Sequence, residues 1–71
     1  MVDARKLLAT MALNGDSQTS LCKKIGLTTS TFNGRIHGSS DFKANEIQKI
    51  SRLYNLTERD MCAIFFAGDF E

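Results

Sequence analysis

The sequence predicts an all-α domain built from five short helices. Three observations carry this. Apolar residues recur three and four positions apart through most of the chain, and nowhere alternate in the period-2 pattern of strands. Ser17, Thr28 and Thr57 stand where helices begin, each able to accept an orphan backbone N–H. Gly15 and Gly26 stand where helices stop, and no proline interrupts the pattern.

The first helix is expected from about residue 3 to 13, with Leu7, Leu8, Met11 and Ala12 as its inner stripe and "NGD" at 14–16 as its stop. The second spans 18–25 behind Ser17, with Leu21, Cys22 and Ile25 inward. Gly26 ends it, Leu27 turns into the core, and Thr28 caps a third helix over 29–37, with Phe32 and Ile36 inside. "GSSD" at 38–41 is a loop, and Phe42 plugs the core behind it. The fourth helix spans 44–54, with Ile47, Ile50, Leu53 and Tyr54 inward; its start is weak because Lys43 offers no capping acceptor. The fifth runs over 58–66, with Thr57 as cap and Asp60 in the third helical position, a variant of the capping box.

A chain of 71 residues is one domain with a modest core and little room for an enzyme's cleft. The apolar fraction of 42% is too high for a disordered segment, and no apolar run approaches the roughly 20 residues of a membrane span. The N-terminus lacks the pattern of a secretory signal, so the cytoplasm is expected. Cys22 and Cys62 are expected as free thiols, since forty positions and a single histidine make no zinc site. No catalytic constellation, metal set or cofactor loop is present, so no enzyme is expected. Charge is uneven: residues 1–43 carry six basic residues against three aspartates, and residues 44–71 carry three against five acids. A basic first half suits phosphate contact, but only mildly.

The segment 17–38, "SQTSLCKKIGLTTSTFNGRIHG", carries the chemistry. Two helices of about eight residues meet at a short turn containing Gly26, and their apolar positions face one shared core. Cys22, one turn before Gly26, supplies the small side chain that a close helix crossing needs. This is the layout of a helix-turn-helix, whose second helix enters the major groove.

The pattern Q-x-x-L-x-x-x-I-G-L-T-x-S-T-F over 18–32 resembles the phage Cro/CI-like, or lambda-repressor-like, helix-turn-helix family. So does F-x-x-x-E-I-x-K-I over 42–50, and the resemblance covers about residues 5–66. The chain is similar to the small Cro-analogous regulators of temperate phages of Gram-positive bacteria. The resemblance implies a compact five-helix fold and two partners, operator DNA and a CI-type repressor. It implies that Gln18 meets phosphate or braces the third helix, and that Thr28, Thr29, Ser30 and Asn33 face the groove or its flanking phosphates. Arg35, His37 and the loop Ser39–Ser40 would lie near the backbone or further along the groove.

Residue chemistry agrees in part. Asn33 can pair bidentately with adenine, Lys23, Lys24 and Arg35 can add a salt-sensitive term, and the N-termini of both helices offer N–H groups to phosphate. Against this stands Gly34, where many relatives carry a longer polar side chain; the outer face is then small and nearly neutral. Such a surface suits a protein partner as well as DNA. The Ser/Thr run at 28–31 also reads as capping chemistry alone, and Lys23 as a solvated lysine. Phe66 and Phe70 exceed what so small a core needs, and read either as a folded-back tail or as a partner or dimer surface.

Overall fold

The computed structural model describes residues 1–68, which form five α-helices and no strand. They are α1 (Ala4–Leu13), α2 (Gln18–Ile25), α3 (Thr29–Ile36), α4 (Ala44–Leu53) and α5 (Glu58–Phe65). Each helix exists for a local reason. Asp3, Ser17, Thr28 and Thr57 each accept the backbone N–H of the third residue of the helix they precede. Glu46 rescues the weak start of α4: its carboxylate accepts the Lys43 N–H at 2.9 Å, so the helix is closed by its third residue reaching back.

Three helices stop in the same way. The Asp16, Leu27 and Leu56 N–H groups donate to the carbonyls of Met11, Cys22 and Ser51, five residues upstream, at 2.9–3.0 Å. The turn needs a left-handed residue just before each donor. Gly15 and Gly26 supply it without strain, at φ 75° and 76°. At the third it is Asn55, with φ 53°.

The core sits where α2 packs on α3 and α4, and where α5 packs on α1 and α4. Leu7, Leu21, Phe32 and Ile50 have no exposed surface. Phe42 plugs the core as expected. Its ring stands edge-on between Phe32 and Phe65, with centroids 5.9 Å and 5.3 Å away, which ties α3 and α5 to the loop before α4. The Asp3 N–H donates to the Ile64 carbonyl at 2.6 Å and fastens the start of α1 to α5.

The outer helical positions differ from the expected stripes. Leu8 is 40% exposed, Ala12 is exposed and Leu53 is 41% exposed. With α1 packed chiefly on α5, a stripe as narrow as Leu7 and Met11 suffices, and the neighbouring positions turn outward. Helices α1, α3, α4 and α5 are each one residue shorter than expected, with Asp3, His37, Tyr54 and Phe66 serving as caps. Phe66 is half-buried against the core, so that ring has a place in the fold. Phe70 lies outside the described residues. No helix among the described residues is long and apolar enough to cross a membrane.

Candidate functional site

The α2–α3 unit is held by its turn. The Gly26 and Leu27 N–H groups both donate to the Cys22 carbonyl, at 2.9 Å and 3.0 Å. The Cys22 thiol lies 3.8 Å from the Thr28 carbonyl, and burial pushes its pKa up. Cys22 is therefore a small packing residue at the crossing of two helices, as its position suggested.

The hydroxyls of the Ser/Thr run divide between two tasks. Thr28 Oγ1 accepts the Thr31 N–H at 3.1 Å and donates to Thr31 Oγ1 at 2.9 Å, so both side chains serve the cap. Thr29, Ser30 and Asn33 are exposed, and their side chains hydrogen-bond to no other described residue. Ser30, Asn33 and His37 repeat at three and four positions, which lays them along one outward stripe of α3. Gln18 is half-buried at the start of α2, and Lys23 is exposed on that helix.

Two expected contact residues within α3 turn away from that stripe. Arg35 is turned inward: Nε donates to Glu46 Oε1 at 3.0 Å and Nη2 to Oε2 at 3.3 Å, while Nη1 donates to Ser40 Oγ at 2.7 Å. Its side chain is 14% exposed and that of Glu46 is 7% exposed. Burial works to raise the Glu46 carboxyl, but the Arg35 guanidinium and the Lys43 N–H outweigh it and hold the group below its usual range. The same pairing raises Arg35. Gly34 faces the following loop: its carbonyl accepts the Ser40 N–H at 3.2 Å, and a Cβ built on it would stand 3.6 Å from Ser40 Oγ. Arg35 and Gly34 thus set the loop against α3, and the outward face of α3 carries no lysine, arginine or carboxylate.

A second polar junction holds α2 against α4. Asp16 accepts from Lys24 Nζ at 2.7 Å, Tyr54 OH at 2.7 Å and Ser20 Oγ at 2.8 Å, with only 3% of its side chain exposed. These donors, Lys24 first, hold its carboxyl at a pKa of about 2 against the opposing effect of burial. Burial and the neighbouring carboxylate raise the Tyr54 phenol. Sequence reasoning missed both Asp16 and Glu46. The spacing of Asp16, Ser20 and Lys24 on successive turns was the readable signal for the first, and a glutamate at the third position of α4 was the signal for the second.

No group of three or more metal-ligating side chains occurs among the described residues. No family model matches this sequence, and comparison with curated proteins and with solved structures gives no match.

Proposed function

We propose that the chain is a small phage transcription regulator of the Cro-like helix-turn-helix type, with α2 and α3 as the motif. It acts in a lysis/lysogeny switch as an antirepressor, or modulator of repression, by forming a complex with a CI-type repressor. One observation carries the reading: the exposed stripe of α3 is made of short uncharged side chains and His37, because the one arginine of that helix is spent on Glu46. Interface centres are depleted in charge, whereas autonomous DNA binders draw most of their affinity from cations placed on phosphate. DNA contact through Ser30 and Asn33 then adds to the complex and does not replace it.

Calorimetric titration with the N-terminal domain of a CI-type repressor tests this. Binding is expected, and Asn33→Arg, which puts charge and bulk on the stripe, weakens it. No heat at tens of micromolar, or an undiminished affinity for Asn33→Arg, counts against the proposal.

The second reading is an autonomous dimeric repressor that binds operators unaided. The exposed lysines Lys23 and Lys43, together with the free Asn33 amide, favour it.

A further inference from the structure

The structure redistributes the charge that the sequence displays. Between Ser17 and Leu56, the Arg35–Glu46 pair is folded inward, which leaves Lys23, Lys24, Lys43, Lys49 and Arg52 exposed against a single exposed acid, Asp41. Three of these cations converge. A cleft of about 420 Å³ between the last turns of α2 and α4 is lined by Lys24, Ile25, Lys49, Arg52 and Leu53, with no acid among them.

The cations differ in freedom. Lys24 Nζ pairs with Asp16 at 2.7 Å, and Lys49 Nζ donates to the Ile25 carbonyl at 3.3 Å, so each ammonium group has one partner within the fold. Each keeps further N–H donors for a ligand. Arg52 is exposed, and its guanidinium pairs with no described residue; its planar fork fits a carboxylate. Beside it Leu53 is 41% exposed, an apolar side chain that the fold does not cover.

We infer that this cleft docks an acidic segment of a protein partner, with carboxylates on Lys49 and Arg52 and an apolar side chain against Leu53. Charge complementarity selects an acidic occupant. The leucine selects a peptide over a nucleic-acid backbone, which would leave that apolar surface without a match. The cleft shares no residue with the outward stripe of α3, so this proposal does not depend on the reading of that stripe.

The test uses the full-length chain, isotope-labelled, with amide shifts followed by NMR. The probes are a synthetic acidic peptide with two leucines one helical turn apart, its glutamine-for-glutamate counterpart, and a short DNA duplex. The acidic peptide is expected to shift the Lys24, Lys49, Arg52 and Leu53 amides, and the glutamine peptide to leave them unmoved. Arg52→Glu, at an exposed site that spares the fold, should weaken the acidic peptide on the order of tenfold, and Leu53→Ser severalfold. Shifts confined to another face, equal affinity for Arg52→Glu, equal binding of the glutamine peptide, or a response of these amides to duplex DNA alone would each overturn the inference.

Discussion

The Arg35 guanidinium lies side-on against the Glu46 carboxylate, with Nε to Oε1 at 3.0 Å and Nη2 to Oε2 at 3.3 Å. This pair joins α3 to α4 and leaves the outward face of α3 without an arginine or lysine. Removing one partner leaves the other charge enclosed and unpaired, which is costly. Glu46→Gln should therefore lower the melting temperature by roughly 5 °C or more, while Arg35→Ala should leave the salt dependence of any DNA binding unchanged. Thermal melts and a salt titration check the two halves separately. A fall in the salt slope by about one for Arg35→Ala would return that residue to the phosphate backbone.

Gly34 is permitted by its surroundings to be larger. A Cβ there makes ordinary contact with Ser40 Oγ at 3.6 Å, and helical alanine is favoured over glycine by about 1 kcal/mol. Gly34→Ala should raise stability to urea by up to that amount. Unchanged binding would accompany it if the residue serves the loop and not the outward stripe.

Asp16 couples stability to acid. Its folded pKa of about 2 lies below the ordinary carboxyl value of 3.8, so its contribution is fully present above that ordinary value and is lost as pH falls toward 2. The lowered Glu46 carboxyl works in the same direction. The urea midpoint should fall steeply over that window. Asp16→Asn should flatten the fall and lower stability at neutral pH, and Tyr54→Phe should reproduce part of the loss.

Asn55 holds the left-handed position, φ 53°, that glycine holds at the ends of α1 and α2. Asn55→Gly should be neutral or mildly stabilising, and Asn55→Ala should cost about 1 kcal/mol. Denaturant melts check both outcomes; were the position indifferent to its left-handed backbone, neither substitution would register.

The helices were legible because their signals are local. Ser17, Thr28 and Thr57 announce starts within one turn, Gly26 announces a stop, and Phe32 and Ile36 show their face by spacing alone. The outward placement of Thr29, Ser30 and Asn33 was legible on the same grounds. The fate of Arg35 was not, because its partner stands eleven positions away on another helix, and charge pairing between helices leaves no periodic trace. Leu8 and Leu53 were misread for a related reason: helical spacing shows that a residue borders an apolar stripe, but packing between helices decides how wide the buried stripe is.

The proposed function has α3 meet a repressor through a face without lysine, arginine or carboxylate. A mobility-shift titration of operator DNA at about 50 mM salt, where attraction to phosphate is strong, tests it most directly, run with and without the N-terminal domain of a CI-type repressor. Little shift by the chain alone is expected, with a clear change in the repressor's own shift on its addition. A sequence-specific shift by the chain alone, with the repressor's shift unaltered, would contradict it.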